Sequence, residues 1–356
     1  MRVLLYRPSL SLMSGAGQLI AMQARGLAAA GADVTVLAQR GAWKFFFRTG
    51  VAARSVSAER ARALAESSAS GRIFVDHAAQ LPAADVTFVH NLVTEASRFV
   101  ARPDWAGQAD RERAFFTKLR EDSPIVANSA LVKAALVEQF ALDPHRILVH
   151  YPGYRARVFA RARAAALRDE ARRALGVDAH APLIGLVTSG DFRKRGLDVF
   201  VGAARLIAAR RPEARFLVVG SRRLPEPIAL DPLHASGRLV HVPKNRHPER
   251  WLAALDVLLY TALFEEFGIV VSEAQALGVP VLTSRRVGAA ECLPPEYTPW
   301  ILDTPSAEIF AERALALLAD GEARHALAAA GAAGVQAFDE ASYVRAAVRT
   351  ILDQKR

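Results

Sequence analysis

The sequence has little of the chemistry that supports disulfides or membrane spans. It contains one cysteine, Cys292, so no disulfide can form within the chain, as is usual in a reducing cytoplasm. It has no run of eighteen or more apolar residues that would predict a membrane-spanning helix. The N-terminal stretch MRVLLYRP is too short and too quickly interrupted for a signal peptide, and it predicts a buried first strand.

Metal-binding patterns are also missing. The 9 histidines show no pairing with cysteine or carboxylates at the spacing that metal ligands require. We therefore expect no bound metal and no cofactor. A third glycine at the spacing of a dinucleotide fingerprint is absent too, because Ile20 stands where it would follow Gly15 and Gly17.

Acidic residues are scarce in the first half of the chain. Residues 1–165 hold 22 Lys and Arg against 13 Asp and Glu, whereas residues 166–356 hold 24 against 23. Nearly all of the net charge of +10 therefore lies in the N-terminal half. This asymmetry predicts an anionic partner for that half, such as a membrane surface, a phosphorylated lipid or a nucleic acid. An Arg- and Ala-rich composition bias is the alternative explanation.

The chain alternates strand-like and helix-like segments, which is typical of parallel sheets covered by helices. Its 356 residues exceed what one hydrophobic core usually supports. The alternation breaks around 152–180 and then restarts. We predict an N-terminal α/β domain over 1–165, a C-terminal one over 166–338, and a last helix, 339–356, that could return to the first domain. The predicted strands are 3–6, 33–37, 85–90, 124–128, 147–150, 183–189, 216–220, 239–242, 257–260 and 279–282.

The segment 98–121 mixes aromatic and basic residues. Trp105, Phe115 and Phe116 lie among Arg and Lys residues, a pattern that predicts an amphipathic basic helix of the kind that lies on a membrane surface.

Two acids bracket a predicted helix start in the stretch FEEFGIVVSE, residues 264–273. Unpaired amides at Phe267, Gly268 and Ile269 would form a seat for a diphosphate at the helix N-terminus. Glu265 and Glu273 would then accept hydrogen bonds from hydroxyl groups at the two ends of this seat. The alternative is one acid that satisfies the helix dipole and one surface glutamate.

Three consecutive cations follow the strand at 183–189. Arg193, Lys194 and Arg195 precede Gly196 and a helix, so they belong to the edge of the sheet where α/β proteins bind ligands. There they could neutralise a leaving diphosphate, although a solvated charge run would look the same.

Two features of the first domain are less specific. Gly15 and Gly17 belong to a Gly-rich segment that either lines a cleft or forms a tight turn. His90 ends a predicted strand, where an imidazole could bind a substrate hydroxyl or be merely structural.

The two acids and their seven-residue spacing resemble the Glu motif of retaining glycosyltransferase family 4, of the GT-B fold: two Rossmann-like domains facing each other across a cleft. The stretch 125–152 (IVANSALVKAALVEQFALDPHRILVHYP) resembles the segment entering that family's interdomain linker, and Arg195-Gly196 matches its basic residue and glycine before a helix. The resemblance is strong over 183–290 and weak over 40–80.

The resemblance implies site residues and a reaction. Glu273 would bind the ribose of a nucleotide-sugar donor and Glu265 a hydroxyl of its sugar. The amides of 267–269 with Arg195, helped by Lys194 or Arg193, would hold the diphosphate. Gly15 and Gly17 would line the cleft, and His90 would touch the transferred sugar.

Within the family, the sequence is most similar to bacterial lipopolysaccharide core glucosyltransferases. That similarity implies an anionic glycolipid or glycan acceptor, no nucleic-acid partner, and a cytoplasmic enzyme peripheral to the inner membrane. The chain departs from the family pattern in two places: Gly190 stands where an arginine is common, and Glu266 adds an acid without an evident role.

Two other function classes remain open at the level of the sequence. A dinucleotide-dependent oxidoreductase would also be a two-domain α/β protein, but it should carry the complete glycine fingerprint. A basic, non-catalytic membrane- or nucleic-acid-binding module would not need two acids around a helix N-terminus.

Overall fold

The computed structural model describes residues 1–67 and 71–354. The chain divides into two compact units, Met1–Gly153 together with Glu340–Arg356, and Tyr154–Asp339. Each unit is built on one parallel sheet whose strands are joined through helices. The α/β class and the two Rossmann-like units predicted from the sequence are therefore present.

Unit 1 contains a seven-stranded parallel sheet of order β3-β2-β1-β4-β5-β6-β7. Strand β1 lies near its centre, with Arg2 opposite Asp33 of β2 on one side and Arg72 of β4 on the other. The strands are β1 (Arg2–Tyr6), β2 (Asp33–Ala38), β3 (Ala53–Ser55), β4 (Arg72–Asp76), β5 (Val86–Val89), β6 (Ile125–Ala127) and β7 (Ile147–Val149). The helices are α1 (Gly15–Ala29), α2 (Ala42–Thr49), α3 (Ala58–Glu66), α4 (Val93–Ala96), α5 (Ala106–Lys118) and α6 (Ala130–Phe140).

Serine side chains start several of these helices. Ser14, Ser57 and Ser129 each accept a hydrogen bond from the backbone N–H three residues later, at the N-termini of α1, α3 and α6. Such caps satisfy amides that have no partner within the helix.

Two strands of this sheet were absent from the prediction. Strand β3 is a three-residue edge strand, and β4 occupies the sheet centre between β1 and β5. The sequence of β4, RIFVD, has only three apolar residues between charged ends, all of them buried. So short a run gives no period to read, and its place is decided by pairing with β1.

Unit 2 contains a five-stranded parallel sheet of order β10-β9-β8-β11-β12. Its strands are β8 (Leu183–Val187), β9 (Arg215–Gly220), β10 (Leu239–Pro243), β11 (Val257–Leu259) and β12 (Val281–Leu282). Its helices are α7 (Ala164–Leu175), α8 (Leu197–Arg210), α9 (Glu226–Ala229), α10 (Pro232–Ala235), α11 (Pro248–Ala253), α12 (Ile269–Ala276), α13 (Ala307–Ala319) and α14 (Gly321–Gly334). The five strands predicted in this half all occur, with ends shifted by one to two residues.

The division between the units differs from the predicted boundary at 165/166. It falls between Gly153 and Tyr154, because the segment that follows packs entirely into unit 2. Tyr154 pairs with Asp339, Phe159 is buried, and Arg161 lies against Gly278. These contacts join residues too far apart in sequence to be visible in a local pattern.

The last helix, α15 (Glu340–Leu352), belongs to unit 1, where it packs on α1. The buried Gln23 side chain of α1 donates a hydrogen bond to the Tyr343 hydroxyl at 2.6 Å.

The segment 98–121 does not form the membrane-facing helix predicted for it. Helix α5 spans only Ala106–Lys118, and Phe115 and Phe116 are buried in a core cluster with Leu136 and Ile147. Trp105 is half-buried beneath the Arg102 guanidinium. Two of the three aromatic residues that suggested a membrane face therefore belong to the core of unit 1.

Candidate active site

The central feature of unit 2 is the meeting of two loops at one edge of its sheet. Strands β8 and β11 are neighbours and run parallel, so the loops that follow them, 188–196 and 260–268, leave from the same edge. The predicted cations stand on the first loop, and Glu265 with the start of α12 stands on the second. Residues about seventy positions apart in sequence are thereby brought into contact.

Arg195 and Glu265 form a buried ion pair across the two loops. Burial alone would lower the pKa of Arg195, but the facing Glu265 carboxylate overcomes it and raises that pKa. Burial also raises the pKa of Tyr260, so its hydroxyl stays protonated and donates to Glu265 at 3.3 Å. A β-carbon on Gly190 would lie 3.1 Å from the Arg195 guanidinium. The glycine thus leaves room for Arg195 at the position where the family often has an arginine.

Lys194 forms a second ion pair beside the first, with Glu266 at 2.5 Å. Both side chains are buried, and the ammonium lies 5.6 Å from the centre of the Phe264 ring. The structure thus gives Glu266, which the sequence left without a role, a defined one: it holds Lys194 in place next to Arg195.

Arg193 differs from its two neighbours because its side chain is exposed. Its backbone N–H donates to the Asp191 carboxylate at 2.9 Å, which shapes the turn. The three cations are therefore not equivalent. Two are fixed by acids, and the third faces solvent.

Gly268 is the N-cap residue of helix α12, and its φ of 91° places it in the left-handed region. No side chain of the described residues caps this N-terminus. Phe267 is buried and Ile269 is half-buried. The predicted diphosphate seat is therefore the N-terminus of a helix that follows Glu265 in the chain.

Glu273 is the fifth residue of α12 and is buried. Burial raises its pKa to about 7, opposed by the charge of Arg155 and reinforced by that of Glu249. The Glu249 Oε1 atom lies within hydrogen-bond distance, 3.1 Å, of the His247 Nδ1 atom. Neither Arg155 nor Glu249 was predicted as a site residue, because each reaches Glu273 only through the fold.

Gly196, which separates Arg195 from α8, should not tolerate a side chain. Its φ is 64°, and an added β-carbon would lie 2.0 Å from the Thr261 carbonyl oxygen. We expect Gly196→Ala to lower the free energy of unfolding by about 1 to 3 kcal/mol and to displace Arg195, as measured by denaturant unfolding and donor titration.

Gly176→Ala is the matched control for this glycine. Gly176 has the same φ of 64°, but nothing lies within 4 Å of its added β-carbon. Equal losses for the two variants would show that backbone strain alone matters and that the contact with Thr261 does not.

In unit 1, the segment with Gly15 and Gly17 is the first turn of α1 and not a flexible loop. The Gly17 N–H donates to the Ser14 hydroxyl at 3.2 Å. A β-carbon on Gly17 would lie 2.0 Å from the Ser11 carbonyl oxygen, so this glycine allows close packing of the helix start on the preceding turn. Gly15 is half-buried in the same turn.

His90 also lies in unit 1, just after β5, and forms a hydrogen bond of 3.0 Å with His77 through Nε2. Burial and then the charge of Arg7 lower the pKa of His90 to about 3. Both effects, with His90 itself, hold the pKa of His77 well below its usual value. Both imidazoles are therefore neutral near pH 7, so each can donate one hydrogen bond and accept another but carries no charge.

His77 and His90 line a cavity of about 300 Å³ together with Arg7, Arg111 and Glu112. Asp76, which precedes His77, is buried, and burial raises its pKa to about 6 although three backbone N–H groups of the following turn donate to its carboxylate. The cavity is formed by unit 1 alone and combines cationic and neutral hydrogen-bonding groups.

Within the described ranges, no group of three or more His, Cys, Asp and Glu side chains is arranged to hold a metal ion. No helix in the described part of the chain is long and apolar enough to cross a bilayer.

The loops and helix of unit 2 lie in a segment that matches a known family. Residues 182–320 match the model of the glycosyl transferases of group 1. The matched segment lies wholly within unit 2. The match agrees with the family resemblance seen in the sequence.

Solved glycosyltransferases share the fold over nearly the whole length. WaaG, described as a glycosyltransferase involved in lipopolysaccharide biosynthesis, matches with a TM-score of 0.78 at 18% identity, covering 98% of this chain and 99% of its own. HepE of Anabaena, solved in complex with UDP-glucose, matches with a TM-score of 0.79 at 17% identity, covering 99% and 100%. These likenesses confirm the predicted GT-B fold.

Sequence relatives include D-inositol 3-phosphate glycosyltransferases. That of Pseudarthrobacter chlorophenolicus is 30% identical over 211 residues, 56% of this chain and 48% of its own length. That of Corynebacterium aurimucosum is 27% identical over 277 residues, 72% of this chain and 64% of its own. The matched part of the chain thus spans about half to two thirds of the length of these relatives.

Proposed function

We propose that this protein is a retaining glycosyltransferase. It transfers a hexosyl group from a nucleoside-diphosphate sugar to a glycolipid or polysaccharide acceptor in the synthesis of lipopolysaccharide core or another cell-surface glycan. The observation that carries the proposal is the pair of buried cations, Arg195 and Lys194, fixed by acids beside the N-terminus of α12. A site that binds diphosphate needs fixed positive charge, and the N-terminus of a helix adds partial positive charge beside it.

Different residues of unit 2 bind different parts of the donor. Arg195 and Lys194, with the amides of 267–269, bind the diphosphate, and exposed Arg193 adds charge at its edge. Glu265 already accepts from Tyr260 and faces Arg195, so it can exchange one of these contacts for a sugar hydroxyl. Glu273 is buried further along α12, and it accepts hydrogen bonds from the ribose hydroxyls.

The proposed chemistry is a front-face displacement. The bond from the anomeric carbon to the diphosphate oxygen breaks while the bond to the acceptor oxygen forms on the same face of the sugar. The acceptor proton passes to the departing phosphate oxygen. Arg195 and Lys194 stabilise the negative charge that develops there, since they are held in place before the reaction begins. The proposal assigns this role to side chains and uses no protein-bound metal.

Unit 1 supplies the acceptor side in this proposal. Its cavity offers Arg7 and Arg111 for an anionic group, and neutral His90 for a sugar hydroxyl. In this proposal the start of α1 contacts the substrate at Gly15, whereas Gly17 packs against the preceding turn. WaaG is involved in lipopolysaccharide biosynthesis, which supports a glycolipid acceptor, and the name of the inositol 3-phosphate enzymes supports an anionic one. We place the enzyme at the cytoplasmic face of the inner membrane, without a nucleic-acid partner.

A thermal-shift screen of nucleotide sugars tests the donor assignment. HepE binds UDP-glucose, so we expect UDP-glucose or a related nucleotide sugar to raise the melting temperature by about 2 to 4 °C at a hundredfold excess over its Kd. NAD is the control, because a dinucleotide oxidoreductase would respond to it. A shift with NAD and none with any nucleotide sugar would refute the proposal. Product analysis by NMR then shows whether the anomeric configuration is retained.

A further inference from the structure

Helix α2 of unit 1 exposes an unusual set of side chains. Its sequence is AWKFFFRT, and Trp43, Phe46 and Phe47 are 71%, 42% and 64% exposed. All the exposed large aromatic side chains in the described part of the chain are on this one helix of 8 residues. The other exposed large apolar side chains, such as Leu230 and Ile309, are scattered singly. A contiguous exposed aromatic patch on a folded protein marks a surface that binds something.

The three rings form one ordered patch. The Trp43 and Phe47 ring centres are 4.4 Å apart, and those of Phe46 and Phe47 are 5.6 Å apart. The opposite face of α2 is anchored, since Ala42 and Phe45 are buried in unit 1. The patch therefore faces outward because of the helical spacing, and the helix cannot turn its rings into the core without exposing Phe45.

Cations flank the patch along the chain, and acids are missing from the same stretch. From 34 to 58 the chain contains Arg40, Lys44, Arg48 and Arg54 and no Asp or Glu. All four cations are exposed. A cationic rim around an aromatic face complements a surface that is anionic outside and apolar beneath, which is the make-up of a bilayer with anionic lipids.

We propose that α2 is a membrane-docking helix, which inserts Trp43, Phe46 and Phe47 among the headgroups of an anionic bilayer while Lys44 and Arg48 contact the phosphates. The exposed parts of the three rings amount to roughly 400 Å². This is about half of what each partner contributes to a stable protein dimer, whereas shallow insertion needs no matching surface. The inference takes from the proposed function only that the acceptor is lipid-linked. It replaces the segment 98–121, in which Phe115 and Phe116 are buried, as the membrane contact.

Flotation with lipid vesicles tests the docking helix without any sugar donor. We expect the wild-type protein to bind vesicles of phosphatidylcholine with one third phosphatidylglycerol, and to bind pure phosphatidylcholine weakly. Trp43→Ser with Phe47→Ser should lower the partition coefficient at least tenfold. Leu230→Ser with Ile309→Ser is the matched control, because Leu230 is 73% exposed and Ile309 42% exposed on unit 2, and this variant should bind as the wild type does.

The cationic rim is tested by charge reversal. We expect Lys44→Glu with Arg48→Glu to lower binding to the anionic vesicles at least tenfold, and the remaining binding to become less sensitive to salt. Arg173→Glu with Arg210→Glu makes the same change in net charge at exposed positions of unit 2 and should have little effect. Every variant should keep its thermal shift with the nucleotide sugar, so failure of docking and failure of the donor site are separate results.

Four outcomes would overturn the inference. The wild-type protein could ignore anionic vesicles, or the α2 variants could bind them unchanged. Binding could also be abolished by Arg113→Glu with Lys118→Glu on α5 and not by the α2 variants. A concentration-dependent dimer that the Trp43 variant dissociates, without vesicle binding, would make α2 a contact between two copies of the chain instead.

Discussion

Replacing Arg195 by methionine should lower kcat by a factor on the order of 10² or more. The guanidinium faces the end of the sheet where the diphosphate is proposed to bind, and its charge is fixed by Glu265. Loss of that charge removes stabilisation that is needed only when the phosphate departs, so we expect the fall in kcat to exceed the change in KM. Steady-state transfer assays with the donor found by the thermal-shift screen measure both constants.

The single variant also damages the fold, because it leaves the Glu265 carboxylate buried without its partner. Breaking such a pair costs about 3 to 5 kcal/mol. Arg195→Met with Glu265→Gln removes both charges, so we expect it to recover stability in denaturant unfolding but not activity. Arg205→Met with Asp231→Asn is the matched control at a second ion pair of unit 2. Normal turnover by the neutralised Arg195 pair would exclude Arg195 from the chemistry.

Glu273 should make both stability and donor binding depend on pH around neutrality. The unfolded chain loses this proton near 4.5, but the folded protein holds it to about pH 7, because the carboxyl is buried. Between these values the folded state binds more protons, so its free energy of unfolding falls as the pH rises. We expect Glu273→Gln to remove a fall of about 3 kcal/mol between pH 4 and 8, as measured by denaturant unfolding.

Donor binding should respond in the opposite direction. A carboxylate accepts the two ribose hydroxyls better than a carboxylic acid does, so the proposed contact favours the ionised form. We therefore expect donor affinity to rise up to tenfold per pH unit below about pH 7 and then to level off, whereas Glu273→Gln gives a flat profile. Calorimetric titrations at several pH values measure this profile.

Two neighbours of Glu273 move that midpoint in opposite directions. Arg155 lowers the pKa of Glu273, so Arg155→Met should shift the midpoint of the donor profile upward. Glu249 raises it, so Glu249→Gln should shift the midpoint downward. A midpoint that ignores both substitutions would assign the pH dependence to another group.

The neutral state of His90 limits what it can do in the reaction. Its Nε2 is committed to His77, and its pKa of about 3 keeps it uncharged at working pH. A hydrogen bond through the remaining ring nitrogen is consistent with a role in orienting a sugar hydroxyl, and not with a role as a charged acid.

The strands of unit 2, the stretch 264–273 and the cations at 193–195 could be predicted from the sequence alone. Each is a local pattern: a buried run between turns, a helix start flanked by acids, or a run of like charges. The family resemblance rests on the same residues, because its motif also lies within one short stretch, and a family model matches the surrounding segment.

The partners of these residues could not be predicted. The sequence shows Lys194, Arg195, Glu265 and Glu266 as two separate charged groups, and only the adjacency of β8 and β11 joins them into two ion pairs. Arg155 likewise acts on Glu273 only because the fold brings these distant parts of the chain together. The central strand β4 and the true boundary at 153/154 were missed because both depend on pairing with distant segments.

The fate of the aromatic residues shows this division most clearly. The sequence by itself determined that aromatic and basic residues are mixed in both 42–49 and 98–121. Only the tertiary structure decided that Phe115 and Phe116 enter the core while Trp43 and Phe47 remain outside. The periodicity of a helix specifies which residues share a face, but the packing of neighbouring elements specifies which face is buried.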